Sequence, residues 1–506
     1  MRILLTTLNS QYIHSNPALK YLYTAASGSC DFIEIKEFTI NNGDDYIFSE
    51  ILAGGCGAVC FSCYIWNIER TVYLAENLKK AQPGIIIVAG GPEAGHDAAE
   101  FMRENRQIDF VVTGEGEYTF SRLAKALSAG EKNYEGIKGL AYRNGDEIIV
   151  NPSVELLVFE SVPFPYSMLP CEKDKVIYYE SSRGCPFKCS YCMSSLDKTV
   201  RALPVARVFR EIEYFLLNRA AQVKFIDRTF NYDKARCKDI IKHIIKKDNG
   251  VTNFHFEICG ELIDDDLIDL LSIAREGLFR FEAGIQSTNK RTLLAVNRSA
   301  ATEKLLLNMK KLTSLGNVKV HIDLIAGLPY ESYYIFKKSF NDAYGLMADE
   351  LQLGFLKLLK GTQIREKAAD FGYEFKRMAP YEVISSRFMP AFDICRLKNI
   401  AEMLGLFYNR GGFKRALCYA VETLADSPFA FFEEFSIFYN LKGFQHVSHK
   451  REDLYRILYE YAAWKCQKLD IPVEDFLALL RADLSESINP EVVKKFERKG
   501  WNYETG

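Results

Sequence analysis

A chain of 506 residues has room for two to four domains at roughly 100–200 residues each. Hydrophobic residues make up 48% and charged residues 26%, the balance of an ordinary soluble globular protein. Lys plus Arg number 64 against 66 Asp plus Glu, a formal net charge of -2, so charge gives no argument for a nucleic-acid partner.

The opening MRILLTTLNSQY starts like a signal peptide, but its apolar run stops at Thr6 and polar residues follow from Asn9. No other apolar run approaches the ~20 residues that a membrane helix needs. The expectation is a cytoplasmic protein that does not engage a membrane. In that compartment the 13 cysteines argue for metal or redox chemistry, or for plain buried residues, rather than for a disulfide framework.

The first ~120 residues alternate strand and helix patterns. RILLTTL (2–8) reads as a buried strand, 17–26 as a helix, and DFIEIKEF (31–38) shows period-two alternation. AVCFSCYI (58–65) reads as a strand, 68–82 as a helix, and GIIIVAGG (84–91) and DFVVTGEGE (109–117) as further strands. Such alternation predicts a parallel, doubly wound sheet whose ligands bind beyond the carboxyl ends of the strands. Residues 131–172 read as a connector, with a hairpin-turn signal NGDE at 144–147 and an extended VPFPYSMLP at 162–170.

Alternation resumes near 173 and runs to about 370. Candidate strands are 176–182, 223–229, 254–260, 280–286, 318–327 and 351–359, with helices between them, for example 208–219, 264–275 and 301–315. Six β/α units predict a barrel or partial barrel with its chemistry at the C-terminal strand ends. Residues 371–506 change to aromatic-rich helical patterns and read as an all-α domain.

Two segments share the spacing C-x3-C-x2-C: CGAVCFSC (56–63) and CPFKCSYC (185–192). Cys60 and Cys63 are three apart in a predicted strand, so their side chains oppose each other and cannot share a metal. The first copy reads as buried cysteine behaving as a small hydrophobe. The second follows a strand, starts after Arg183-Gly184 and carries Pro186, so its chain can wrap around a cluster. Zinc would want a fourth ligand nearby, yet after Cys192 no cysteine appears until Cys237 and no histidine until His243. Three thiolates, Cys185, Cys189 and Cys192, suit an iron–sulfur cube with one open iron.

The stretch SRGCPFKCSYC at a barrel's first strand resembles the radical S-adenosylmethionine (SAM) superfamily. That resemblance implies a [4Fe-4S] cluster whose open iron binds SAM, reductive cleavage to a 5′-deoxyadenosyl radical, and an electron donor such as flavodoxin or ferredoxin. Further strand ends are similar to the barrel of the oxygen-independent coproporphyrinogen oxidases, which implies SAM contacts from Glu257, Gln286, Arg298 and Asp323. The carboxylates suit the amino and ribose groups, and the Arg298 guanidinium suits a carboxylate. Tyr191 is expected near the adenine, and Asp227 in FIDRTFN is expected to face the site. The Gly-Gly-Glu stretch often seen after the second strand is missing here.

A doubly wound domain ahead of such a barrel resembles the cobalamin-binding domain of B12-dependent radical SAM enzymes. The likeness rests on FSCYIWN (61–67), AGGPEAG (89–95) and VVTGEGEYTF (111–120). It implies cobalamin contacts from Ser62, Tyr64, Asn67, Gly90, Gly91, Glu93, Gly114, Glu115 and Gly116, the glycines letting backbone approach the ligand. The D-x-H-x-x-G motif that supplies a lower axial histidine in many cobalamin proteins is absent, so base-off, His-off cobalamin is expected. His14 follows the first strand and reads as a loop histidine that can also approach the ligand. The C-terminal block resembles a helical domain of unknown function, its aromatics reading as core. His446 and His449 lack an evident acidic or cysteine partner for a metal.

The function these resemblances imply is methylation of an unactivated carbon on an unknown substrate. Cyclisation, ring rearrangement or oxidation with the same cofactors stays open, as does a non-catalytic cobalamin sensor. A methylthiotransferase would need a second cluster, for which CGAVCFSC is the one candidate.

Overall fold

The computed structural model describes residues 1–30, 32–153, 156–197 and 199–501. Among them no helix is long and apolar enough to cross a membrane.

The N-terminal sheet is built from β1 (Ile3–Asn9), β2 (Ile33–Thr39), β3 (Ala58–Ser62), β4 (Ile86–Gly90) and β5 (Phe110–Val112), all parallel, in the order β2-β1-β3-β4-β5. Helices α1 (Pro17–Ala26), α2 (Asp44–Ala53), α3 (Ile68–Ala81), α4 (Pro92–Gly95), α5 (Ala98–Glu104) and α6 (Gly116–Ala129) follow the strands. β1 is buried along its whole length because helices cover both sheet faces. Leu4, Leu8 and Val59 pack with residues of α2, α3 and α5, while Ile3, Leu5 and Cys60 pack with residues of α1 and α6. Asn16 caps α1, its side chain accepting the Leu19 N–H, with Pro17 at the first helical position.

The expected connector does not stand apart. β6 (Leu140–Asn144) and β7 (Glu147–Val150) form the hairpin that NGDE signals, and β6 pairs antiparallel with β5, so the sheet gains two strands.

The second sheet holds β8 (Ile177–Tyr179), β11 (Gln222–Phe225), β12 (Asn253–Ile258), β13 (Phe279–Gln286), β14 (Lys319–Ala326) and β15 (Glu350–Phe355). They are parallel and consecutive, and β8 and β15 do not pair, which makes a partial (β/α)6 barrel. Between β8 and β11 lie the short antiparallel strands β9 (Ser182–Arg183) and β10 (Arg201–Ala202), which clamp the base of the cysteine loop. Along β13 the burial alternates strictly: Phe279, Phe281, Ala283 and Ile285 face the surrounding helices, and Arg280, Glu282, Gly284 and Gln286 face inward. The barrel interior is therefore polar. Lys224 and His255 meet Glu282, and His321 lies between Asp323 and Glu350.

Two short helices, Gln363–Glu366 and Ala368–Phe371, follow β15, but from 371 the chain does not go straight on as helix, contrary to the all-α expectation. A ribbon of β16 (Glu374–Phe375) and β17 (Val383–Ser385) comes first, tied back to the barrel by hydrogen bonds from Leu358 N–H to the Tyr381 carbonyl and Val383 N–H to the Leu356 carbonyl. The remaining chain is helical, and its aromatic run is core as expected: Phe429, Phe431, Phe432 and Phe435 are fully buried, in one hydrophobic cluster with the barrel.

The N-terminal domain and barrel are joined by buried charge. Arg183, on β9, donates to Glu117 (2.5 Å), Glu180 (2.9 Å) and Glu115 (3.3 Å), and Arg201 adds two bonds to Glu115 at 2.8 and 2.9 Å. Removing one member of a buried ion cluster leaves the others uncompensated. Arg183→Ala is expected to lower stability by about 3–5 kcal/mol, read as the shift in a denaturant midpoint. A change below about 1 kcal/mol would mean that the carboxylates are not held by this guanidinium.

Candidate active site

Two cavities adjoin at the domain boundary. The smaller, about 260 Å³, lies at the carboxyl ends of the barrel strands and is lined by Cys185, Cys189 and Cys192 together with Tyr191, Glu257, Gln286, Arg298 and Asp323. The larger, about 430 Å³, lies between the carboxyl ends of the N-terminal strands and the barrel mouth. Ser62, Tyr64, Gly90, Gly91, Gly114, Glu115 and Gly116 line it, and so do Arg183, Met193 and Ser194 of the cysteine loop. It continues as an apolar sleeve between the sheet (Leu5, Cys60, Val88, Val112) and the helices α1 and α6 (Tyr21, Leu22, Phe120).

The cysteine loop is shaped by Gly184. Its φ is +89°, and a Cβ there would sit 2.2 Å from the Thr199 carbonyl oxygen, so both conformation and space demand glycine. Cys185 Sγ lies 3.7 Å from Thr229 Oγ1, and Cys189 Sγ lies 3.8 Å from Arg298 Nη1. Arg298 also donates to the Gly284 carbonyl (2.6 Å) and to Tyr191 Oη (3.1 Å), which fixes its guanidinium beside the cysteines. The three sulfurs share one cavity wall, though no group of three His, Cys, Asp or Glu side chains among the described residues is drawn together tightly enough to hold a metal ion.

The cavity fits a polar, charged ligand. Gln286 has φ +66°, a left-handed conformation rare for a residue with a side chain, and its buried Oε1 has no hydrogen-bond partner among the described residues. Burial, reinforced by Glu282, pushes the Glu257 carboxyl up to about 7. Burial alone would raise Glu282 as well, but His255 and Lys224 outweigh it and hold this carboxylate far below its usual range. One chamber thus contains a carboxyl poised near neutrality and another that is firmly ionised.

Several expected contacts lie elsewhere. Asp227 is buried outside the chamber, its carboxylate accepting from the Ser181 N–H (2.7 Å) and Ser182 Oγ (2.9 Å). The reason is strand parity: Asp227 continues the outward row Val223 and Phe225, and the inward row Lys224 and Ile226 ends at Arg228. Arg228 and Thr229 line the smaller cavity instead, together with Cys259, Glu261 and Glu282. That alternation was present in VKFIDRT and is the signal that finds Arg228.

Asn67 does not reach the larger cavity. Its side chain braces the turn after β3, donating to Thr7 Oγ1 (3.1 Å), the Leu8 carbonyl (3.2 Å) and the Ser62 carbonyl (3.0 Å), and accepting from Tyr64 N–H (2.8 Å). Glu93 is likewise buried away from it, accepting from Tyr381 Oη at 2.6 Å. Glu115 does line the cavity, but its carboxylate is committed to Arg183, Arg201 and the Leu157 N–H. Gly91 has a packing reason as well: at φ +95°, a Cβ would lie 2.7 Å from the Cys63 carbonyl oxygen. The His14 ring sits 2.7 Å from the Tyr178 hydroxyl and lines neither cavity.

CGAVCFSC is split by the sheet. β3 stops at Ser62, so Cys63 falls just beyond the strand and not inside it. Cys60 packs on the α1/α6 face, and Cys56 and Cys63 pack on the opposite face.

Sequence-family models match three consecutive blocks: the B12 binding domain over residues 3–124, the Radical SAM superfamily over 179–343, and a protein of unknown function (DUF4080) over 369–503. The chain is a B12-binding radical SAM protein. It is 25% identical over 319 residues to the cobalamin-dependent radical SAM methyltransferase TokK of Streptomyces tokunonensis, covering 58% of this chain and 44% of TokK. It is 25% identical over 344 residues to the anaerobic magnesium-protoporphyrin IX monomethyl ester cyclase of Rubrivivax gelatinosus, covering 63% of this chain and 60% of that one. It thus spans less than two thirds of the length of these relatives. Among solved structures, the cobalamin-dependent S-adenosylmethionine radical enzyme OxsB matches with a TM-score of 0.62 at 13% identity, over 99% of this chain and 84% of that chain, which establishes the common fold.

Gly184→Ala is expected to destabilise the protein by more than about 2 kcal/mol, since a left-handed residue costs about 1–2 kcal/mol before any clash. Gly145→Ala provides the comparison: it also has positive φ (+62°), but nothing lies within 4 Å of its Cβ position. Equal denaturant midpoints for the two variants would show that the cysteine loop is not held as described.

Proposed function

We propose that this protein is a B12-dependent radical SAM enzyme that methylates an unactivated carbon. The observation that carries the proposal is the pair of adjoining cavities, one ringed by three cysteines and a polar strand-end set, the other opening from a B12 binding domain. When bound, the [4Fe-4S] cluster, SAM and cobalamin supply a carbon-centred radical and a transferable methyl group.

The chain's own residues hold, orient and shield these groups. Cys185, Cys189 and Cys192 are the cluster ligands, from a loop that Gly184 and the β9–β10 clamp shape. Arg298, set beside Cys189, grips the SAM carboxylate. Glu257 and Asp323 serve the amino and ribose groups, Gln286 offers its unpartnered Oε1, and Tyr191 lies by the adenine. Ser62, Tyr64 and the glycines 90, 91, 114 and 116 line the face presented to cobalamin, and the apolar sleeve receives its less polar part. The stretch SCYIWNIER at the end of β3 contains no histidine, so that segment would hold cobalamin through Ser62 and Tyr64 without supplying an imidazole. The domain division is 1–130 for cobalamin, 131–172 for the linker with its hairpin, whose strands Leu140–Asn144 and Glu147–Val150 extend the first sheet, 173–370 for the barrel and 371–506 for the helical domain. A ferredoxin or flavodoxin is the reductant class that fits such a cluster.

The cyclase relative favours a second reading in which the same residues serve a ring closure without methyl transfer.

Anaerobic incubation of the reconstituted protein with SAM, cobalamin and a strong reductant is expected to give both 5′-deoxyadenosine and S-adenosylhomocysteine by mass spectrometry. Deoxyadenosine alone supports the cyclisation reading. Cys185→Ala is expected to reduce deoxyadenosine to background, and retained production would remove the cluster assignment. SAM affinity is expected to weaken as pH falls through about 7, where the Glu257 carboxylate takes up a proton and loses its attraction for the SAM ammonium. Glu257→Gln should bind SAM about tenfold more weakly at pH 8 and lose this pH dependence. An unchanged profile in the variant would place the titrating group elsewhere.

A further inference from the structure

Among the described residues, only Ser194 and Arg228 line both cavities. A substrate carbon that is activated from the cysteine-ringed chamber and modified from the B12 side has to lie where the two meet. The groups at that seam therefore face the substrate, an argument that rests on the function proposed above.

Among the described residues, three cations line the two cavities: Arg183, Arg228 and Arg298. Arg183 is saturated by Glu115, Glu117 and Glu180, and Arg298 is held by Tyr191 and the Gly284 carbonyl. The Arg228 guanidinium is exposed to the seam and has no hydrogen-bonding or ionic partner among the described residues. Its charge is felt on both sides, drawing down the Tyr64 hydroxyl and the Glu257 carboxyl against the burial that raises them. Around it, Glu282 is paired with Lys224 and His255, Asp323 with His321 and Asp197 with Arg201, while Glu257 and Glu261 line the same chamber and form no ion pair among the described residues.

The geometry points to Arg228 as the anchor of an anionic substrate, a carboxylate or a phosphate ester, held at the seam between the two cavities. A guanidinium offers a planar fork that matches either anion with two parallel hydrogen bonds. Ser194 adds a hydroxyl at the same place. The substrate then hangs from its anionic group, with its reacting carbon directed between the chambers, which is how positioning converts binding into rate.

The test uses the reconstituted holoprotein carrying cluster, cobalamin and SAM, with inorganic phosphate and acetate as probes and chloride as the ionic-strength control. Iron, cobalamin and SAM stoichiometries are measured first in wild type, Arg228→Met and Arg228→Lys. Absent cofactor loading in the wild type overturns the proposed function itself, independently of Arg228. With loading equal in all three proteins, thermal unfolding is followed against anion concentration. Phosphate or acetate is expected to raise the melting temperature of the wild type saturably, as ligand binding to the folded state requires. The midpoint should move up by about tenfold or more in Arg228→Met and less in Arg228→Lys. The tighter of the two anions tells a phosphate ester from a carboxylate. A wild type that responds to neither anion beyond chloride, or an Arg228→Met protein that responds as the wild type does, overturns the anion site. Loss of cobalamin or SAM loading in Arg228→Met also overturns it, because Arg228 would then serve a cofactor.

Discussion

Arg183 stands two residues ahead of Cys185 and reaches back across the domain boundary to Glu115 and Glu117, which open α6 of the B12 binding domain. Glu180, at the end of the barrel's first strand, completes the cluster. Charges buried to this degree persist only when they are paired. The guanidinium therefore ties three things into one geometry: the loop that carries the cysteines, the loops that face the larger cavity, and the first strand of the barrel. The tie also explains why Glu115 is not free for a ligand. Its carboxylate holds the two cavities side by side, and their shared wall at Ser194 and Arg228 depends on that register.

The barrel serves the same end from the other side. Its strands put Phe and Ile outward into the helices and charged groups inward, so the hydrophobic free energy that closes the sheet is spent entirely on the outer face. Inside, Lys224 and His255 meet Glu282, while His321 reaches Asp323 and Glu350, the latter also paired with Arg280. Burial works against a charge on His321, but these carboxylates outweigh it. The result is a polar floor of fixed dipoles and charges beneath the cysteine loop, with Glu257 left near neutrality.

The two cysteine trios show how backbone decides chemistry at equal spacing. CPFKCSYC lies in a loop whose left-handed glycine turns the chain around a cavity, so all three thiols meet one space. CGAVCFSC lies on and just past a buried strand, where the pleat sends Cys60 to one face and Cys56 and Cys63 to the other. Identical residues and spacing give one shared wall in the first case and two separate cores in the second.

The sequence by itself determined the periodicities, and through them the alternation of β/α units, the hairpin at NGDE, the helix over 17–26 and the place of the cysteine loop at the barrel's mouth. It also carried the rule that Asp227 and Arg228 face opposite ways, since parity is a local property of a strand. Tertiary structure decided which polar side chains stay available. Asn67, Glu93 and Glu115 have suitable chemistry and stand in suitable motifs, yet they are taken up by a turn, by Tyr381 and by Arg183 and Arg201. Those partners lie up to hundreds of residues away in the chain, and no local pattern encodes which distant donor will reach a given carboxylate. The extension of the helical domain's start into a ribbon has the same cause, because backbone hydrogen bonds to the barrel outweigh local preference. What a residue is can be read along the chain; whether it is free to bind is settled only when the chain has packed against itself.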